Sequence, residues 1–358
     1  MKMSERTNIY YWKCDREDAF HGTSDYKKDQ TQLTEALDCA LKERFGGAVS
    51  GVAPAAGQGN HRTFTTFLDG NRVFVRVEDG EEGDGYFAVE AAVTKLVASL
   101  GVPVPETIAY DISRKSVSFA WQVIPFIDAP DLNMHFKAGT LDWTSIAPAV
   151  GRAIATWQGV TASGFGPFNV EHAASGALVA LHPTQEAYYR LNLDRHLGIL
   201  SDSGFLSESD VARIRRAVDL NIAFIHTPGV LVHKDMALWN MLGSPDRIAA
   251  FIDWDDTIIG DAMDDVSLMA CFHGPDVISR ILAGYMEVRP LPSHAAPRFW
   301  LDLLRNMLFK AVIRVGAGYF RHDASFFLVS GGEESLEETT RRKINAALEG
   351  LERGLGLP

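Results

Sequence analysis

Apolar residues fall on every fourth position at Leu33, Leu37, Leu41 and Phe45, one face of a helix, and Gly46-Gly47 is placed to end it. From Ala48 to about Phe126 the pattern shortens to strands. Arg62–Leu68 is a β-branched and aromatic run, Asp69-Gly70 is a hairpin signal, and Val73–Val77 is the returning strand. Next comes a helix over roughly 84–100, with Phe87, Ala91, Leu96 and Leu100 near one face and Gly101 behind them. Val102-Pro103-Val104-Pro105 cannot continue a helix and reads as an extended exit toward a strand over 116–124.

Beyond Ala129-Pro130 the pattern turns helical. The spacing predicts helices over 143–157, 184–201, 208–226, 264–272, 294–319 and 336–353. Two short apolar strands, Val230–Val232 and Ile248–Ile252, interrupt them. At 358 residues the chain also exceeds the size at which one core stops growing. The expected organisation is α+β: a polar, aromatic-bearing extension over 1–30, a small antiparallel-sheet N-lobe with one helix over 31–128, and a mainly helical C-lobe over 129–358.

Composition narrows the class of protein. The net charge of −12 argues against nucleic acid or an anionic membrane as the main partner. No apolar run reaches the ~18 residues that span a bilayer, and the polar N-terminus contains no signal-peptide core, so a cytoplasmic location is expected. Cys14, Cys39 and Cys271 match no zinc or redox spacing and read as free thiols. Nothing in the pattern bears on oligomeric state.

The chemistry concentrates in His233-Lys234-Asp235-Met236-Ala237-Leu238-Trp239-Asn240, followed thirteen residues later by Asp253 at the end of an apolar strand. Phosphoryl transfer asks little of a protein: one carboxylate to orient a hydroxyl and take its proton, and hard oxygen ligands for magnesium. A kinase catalytic loop supplies these as H-x-D-x-x-x-x-N, with a second Asp after the next hairpin. Either Asp235 or Asn240 alone would read as a turn residue. The whole set, in order between two short strands, reads as a phosphotransferase site.

With Ile252-Asp253-Trp254 and Gly260-Asp261-Ala262-Met263-Asp264-Asp265, the chain resembles the aminoglycoside phosphotransferase and choline kinase family of protein-kinase-like small-molecule kinases over residues ~48–275. Lys234 stands where that family has Gly, a residue free to adopt backbone angles that Lys resists. Ala262 stands where it has Pro, and Val266-Ser267 where it has Leu-Ala. The resemblance implies a two-lobed protein-kinase-like fold and transfer of the γ-phosphate of ATP or GTP to a hydroxyl of a small molecule. It implies Asp235 as base, Asn240 and Asp253 as ligands of Mg²⁺, and structural roles for Asp261 and Asp265.

On the nucleotide side the resemblance implies Arg76 on the second hairpin strand, paired with Glu90 on the following helix. It further implies the backbone of Ile124 and Phe126 at the hinge. By pattern alone, Arg76 reads as a solvent-facing strand charge and Glu90 as a surface helix charge. Gly57, Gly59 and Asn60 lie between strand signals, where backbone N–H groups can approach phosphate or simply turn a hairpin. Gly164-Phe165-Gly166-Pro167 is similar to a family segment, but Trp157-Gln158 stands where a His usually precedes it.

For the acceptor pocket the candidates are Asp255, Asp256, Tyr189 and His196, with Tyr188 and Asn192 beside them. Acidic and aromatic groups suit an amino sugar, an aminoglycoside or a choline-like alcohol, and a neutral sugar is also open. Tyr188 and Tyr189 read equally as core. A catalytically silent nucleotide-binding protein of the same fold is the alternative, and the intact Asp235, Asn240 and Asp253 favour the enzyme. A protein kinase is disfavoured, since Gly260-Asp261 arrives seven residues after Asp253 with no activation segment.

Overall fold

The structure is a computed structural model that describes residues 6–15, 30–55, 61–80, 83–322, 328 and 334–358. After a short helix α1 (Trp12–Asp15), the N-lobe opens with α2 (Thr31–Phe45) and continues through β1 (Val49–Pro54), β2 (Arg62–Leu68), β3 (Asn71–Glu78), α3 (Phe87–Ser99), β4 (Ala109–Asp111) and β5 (Ala120–Pro125). The five strands form one antiparallel sheet in the order β1-β2-β3-β5-β4. Asp69 and Gly70 both take positive φ, 48° and 78°, which a two-residue hairpin of matching twist requires. Leu37 and Leu41 of α2 share a core with Phe64, Val73, Val75, Val77 and Trp121. The four-residue spacing seen in the sequence is therefore the face that α2 lays on the sheet.

The C-lobe comprises α4 (Leu132–Lys137), α5 (Trp143–Trp157), β6 (Phe165–Phe168), α6 (Val170–Ala174), β7 (Ala180–His182), α7 (Gln185–Arg190), α8 (Leu193–Asp202) and α9 (Glu208–Asn221). It continues with β8 (Val230–Val232), β9 (Met241–Ser244), β10 (Arg247–Phe251), β11 (Ile258–Gly260), α10 (Asp264–Ala270), α11 (Pro275–Val288), α12 (Ala295–Gly316) and α13 (Leu336–Arg353). β9 and β10 form a hairpin, and β7-β6-β11-β8 a second small sheet. Together these two sheets hold the loop after β8 against the loop after β10.

Helices α5 and α11 approach so closely that side chains are excluded at the crossing. A Cβ on Gly151 would lie 1.9 Å from the Ile281 carbonyl oxygen, and one on Gly284 2.1 Å from that of Pro148. No helix among the described residues is long and apolar enough to cross a membrane.

The two-lobed α+β reading holds, with local differences. The helix expected over 184–201 breaks into α7 and α8 because Asn192 turns left-handed at φ 56°. The helix expected from 84 begins at Phe87, since the Asp84 carboxylate accepts from the Tyr86 N–H and ends the preceding loop. Helix α11, unassigned in the sequence reading, starts at Pro275, whose fixed φ and missing N–H suit a first turn. The strand expected over 116–124 is shorter, Ala120–Pro125.

Candidate active site

The loop that leaves β8 and carries His233, Asp235 and Asn240 is held from below by one carboxylate. Asp265 Oδ2 accepts from the His233 N–H at 3.0 Å and from Trp157 Nε1 at 3.0 Å, while Oδ1 accepts from the Lys234 N–H at 3.1 Å. Burial pushes Asp265 up to about 7 against these bonds. Asp261 is paired with Arg298 at 2.8 Å and accepts from the Met263 N–H. Both residues therefore brace the lobe from inside.

Lys234 carries a φ of +70°, in the left-handed region that favours the glycine of the resembling family. Its side chain is almost fully buried, and its ammonium donates to Asp264 Oδ2 at 2.7 Å, Asn306 Oδ1 at 3.0 Å and the Tyr10 hydroxyl at 3.2 Å. Three bonds to the C-lobe core and the N-terminal segment thus offset the unfavourable backbone.

His233 Nε2 donates to the Ile252 carbonyl at 3.0 Å, joining this loop to the one that ends in Asp253. Asn240 Nδ2 donates to Asp235 Oδ2 at 2.9 Å and to the Asp235 carbonyl at 2.8 Å, which fixes the carboxylate and turns Asn240 Oδ1 the other way. The Ile252 N–H donates to the Asn240 carbonyl at 3.0 Å. Asp235, Asn240 and Asp253 are therefore gathered by short-range bonds between two neighbouring loops.

Arg76 links the lobes. Its guanidinium donates to Glu90 Oε2 at 2.5 Å and Asp253 Oδ1 at 2.9 Å, and lies 3.6 Å from Asp255 Oδ2. Glu90 Oε1 accepts from the Trp254 N–H. Buried at 6% exposure, Arg76 is an interior cation on β3. Desolvation raises Asp253 well above the usual carboxylate range, and Asp255 adds to the effect through its charge. Against the cost of its own burial, Asp255 is held down to about 2 by Arg76.

The N-terminal segment, whose structure the sequence left open, lies against this cleft. Arg6 pairs with Asp84 of the N-lobe at 2.9 Å, with Asp256 at 3.3 Å, and donates to the Asp255 carbonyl at 2.8 Å. Trp12 Nε1 donates to Asp256 Oδ2 at 3.2 Å, Tyr11 stacks on Phe309 with centroids 4.4 Å apart, and Asp15 accepts from His196 at 2.8 Å. Burial and Asp255 push Asp256 up to about 7. The available signal was Tyr10-Tyr11-Trp12: three large aromatics in a polar tail have nowhere to go but onto the folded body.

Two acceptor candidates are corrected by their placement. Tyr189 is buried and its hydroxyl donates to the Leu301 carbonyl at 2.9 Å. His196 is fully buried between Asp15 and Arg305, so both belong to the C-lobe core. Asp255 and Asp256 do lie beside the cleft, but their oxygens face Arg76, Arg6 and Trp12. Ile124 pairs with Phe74 in the β3–β5 ladder, and Phe126 follows the last paired residue, Pro125, with the Arg72 guanidinium 3.8 Å over its ring. Gly57, Gly59 and Asn60 lie outside the described residues.

A β-sheet lobe and a helical lobe meeting at a paired Arg–Glu, an Asp–Asn catalytic loop and a further Asp define a kinase-like phosphotransferase scaffold. The sequence profile of the Phosphotransferase enzyme family matches residues 51–300, and the chain belongs to that family. It is similar to the viomycin phosphotransferase of Streptomyces vinaceus, at 25% identity over 142 residues, 38% of this chain. That match spans about half the length of the relative, 47%. Among solved structures it resembles a thermostable mutant of aminoglycoside phosphotransferase APH(4)-Ia in ternary complex with AMP-PNP and hygromycin B, with a TM-score of 0.62 at 20% identity over 89% of this chain and 100% of that one. It also resembles a candidate fructosamine-3-kinase from Thermobifida fusca, with a TM-score of 0.62 at 21% identity over 88% and 98% of the two chains.

Proposed function

We propose that the protein transfers the γ-phosphate of ATP or GTP to a hydroxyl of a small molecule. The observation that carries this reading is the gathering of Asp235, Asn240 and Asp253 on two bonded loops, with Asp253 paired to the Arg76 that Glu90 holds on the other lobe. Asp235 accepts the hydroxyl proton as the acceptor oxygen bonds to the γ-phosphorus. The bond from that phosphorus to the bridging oxygen of the nucleoside diphosphate breaks. The proton leaves later to solvent, and the products are a phosphate monoester and a nucleoside diphosphate.

The residues fit a magnesium ion. Asn240 Oδ1 and the Asp253 carboxylate are hard oxygen donors. Burial and the charges of Asp255, Glu90 and Asp235 raise the proton affinity of Asp253, a surplus of negative charge that a cation would relieve. When bound, the metal supplies charge neutralisation for the phosphates. Arg76, released from Asp253, reaches toward the phosphates while Glu90 holds its other edge.

Release of the nucleoside diphosphate should be measured with amino sugars, neutral sugars, aminoglycosides, choline and peptides as acceptors. Asp235→Ala should lower kcat by about 10²–10⁴-fold with little change in nucleotide affinity. Asp253→Asn should weaken Mg²⁺-dependent nucleotide binding more than Asp235→Asn does. Arg76→Ala should raise the nucleotide KM, and Arg76→Lys should recover part of the loss. Full turnover by Asp235→Ala would remove the assigned base. Nucleotide binding without turnover of any acceptor would favour the catalytically silent alternative.

A further inference from the structure

Helix α12 places two cations, Lys310 and Arg314, four residues apart on one face and inside the protein, at 8% and 2% exposure. Of the other interior cations, Arg6 has Asp84, Arg76 has Glu90, Lys234 has Asp264 and Arg298 has Asp261, while Arg305 has no acidic partner among the described residues but donates to the Tyr189 and Leu191 carbonyls. Lys310 makes no hydrogen bond and no ion pair among the described residues. Arg314 donates to Thr340 Oγ1 at 2.7 Å and has no acidic partner among them. Lys343 approaches from α13 and donates to the His273 carbonyl at 2.6 Å.

The Lys310 ammonium lies over the rings of Phe272 and Phe309, at 4.9 and 5.0 Å from their centroids. Phe272 packs edge-on against Trp239 of the catalytic loop, and Phe309 stacks on Tyr11 of the N-terminal segment. Among acidic groups, the charge of Asp235 acts most on Lys310. An aromatic-walled cation therefore lies behind Trp239, on the loop that carries the proposed base. A largely buried ammonium with no counter-charge leaves a place that an anion can fill.

We propose that Lys310 is the acceptor-binding cation of this enzyme, and that the hydroxyl compound it phosphorylates carries an anionic group, a carboxylate or a phosphate, seated on the Lys310 ammonium between Trp239, Phe272 and Phe309. This rests on Asp235 being the base. It departs from the cationic acceptors that the acidic residues near Asp253 suggested, because Asp255 and Asp256 are occupied by Arg76, Arg6 and Trp12. Burial lowers the proton affinity of Lys310, and Arg314 and the half-buried Lys13 of α1 lower it further through their charge, so an incoming anion relieves repulsion as it binds.

The test uses the full chain and Lys310→Met, which keeps the packing and removes the charge. Without ligand, Lys310→Met should melt higher than wild type by roughly 2 °C or more, since an uncompensated buried charge is gone. With Mg²⁺ and saturating AMP-PNP filling the nucleotide site, glycerate or glycerol 3-phosphate should raise the wild-type melting temperature, whereas glycerol and ethanolamine should not. Comparing the two anions separates a carboxylate site from a phosphate site. Lys310→Met should lose the response to both. A lower melting temperature for the ligand-free variant, or an equal anion response in the two proteins, would overturn the proposal. Phosphorylation of neutral or cationic acceptors at rates indifferent to Lys310→Met would also overturn it, while leaving the kinase reading intact. Anion binding through Lys310 without phosphoryl transfer to any acceptor would instead sink the kinase reading and leave the anion site standing.

Discussion

Lys234 shows how a single side chain is decided by what surrounds it. The backbone there suits glycine, and a lysine in the left-handed region costs roughly 1–2 kcal/mol. Its ammonium, however, is the donor that Asp264 and Asn306 face in the core. Breaking one side of a buried ion pair costs about 3–5 kcal/mol. Lys234→Met, which keeps the strained backbone and removes the charge, should lose about that much in denaturant unfolding. Lys234→Gly should lose about 1 kcal/mol less, because the strain goes with the side chain. Lys234→Gly as stable as wild type would mean that the ammonium contributes nothing.

At the scale of elements, the crossing of α5 and α11 sets the frame behind the loop after β8, since α5 also carries Trp157, the donor to Asp265. Gly284→Ala would put a methyl group 2.1 Å from the Pro148 carbonyl oxygen, so the helices must separate. Overpacking of this kind costs roughly 1–3 kcal/mol. The melting temperature should fall, while the nucleotide KM measured well below it stays near wild type. An unchanged melting temperature would show that the two helices slide apart freely. Much at this scale was readable in advance. α2, α5, the β2–β3 hairpin, β8 and α13 lie within a residue or two of their predicted bounds because each has a clean period and a terminator such as Gly46 or Gly354. The break at Asn192 was not, because its left-handed turn is stabilised by a donor bond from Asn192 Nδ2 to the Asn8 carbonyl, 184 residues away.

Across the whole molecule, burial keeps several imidazoles neutral. His61 and His273 are lowered to about 3, and His182, His196 and His233 are lowered as well, chiefly by desolvation. An unfolded chain protonates these groups near 6.5, so the folded state binds fewer protons below that pH and stability is lost as pH falls from about 6.5 toward the folded values. Asp256, Asp265 and Glu78, raised to about 7, act in the opposite sense between roughly pH 4 and 7. One group can be isolated. His273 packs edge-on against Phe136 and Trp143, and His273→Phe fills the same place without titrating. Between pH 6 and 4 the unfolding free energy of wild type should fall more steeply than that of His273→Phe, by up to about 1.4 kcal/mol per pH unit. Parallel curves would place a proton on His273 in the folded state.

The sequence by itself determined the two-lobed plan and marked Asp235, Asn240 and Asp253 as the candidate site, because these depend on local periodicity and on fixed spacing within two adjoining loops. The Arg76–Glu90 pair was legible only through the family's arrangement, since by pattern alone each is a charge on an amphipathic element. Only the tertiary structure decided that residues 6–15 close over the cleft, that Tyr189 and His196 are core, and that Lys310 lies over Phe272 and Phe309 without an acidic partner among the described residues. Each of those facts is set by groups far apart in the chain meeting in the interior, where desolvation makes the presence or absence of a single partner decisive. No local pattern of polar and apolar positions encodes which partner arrives.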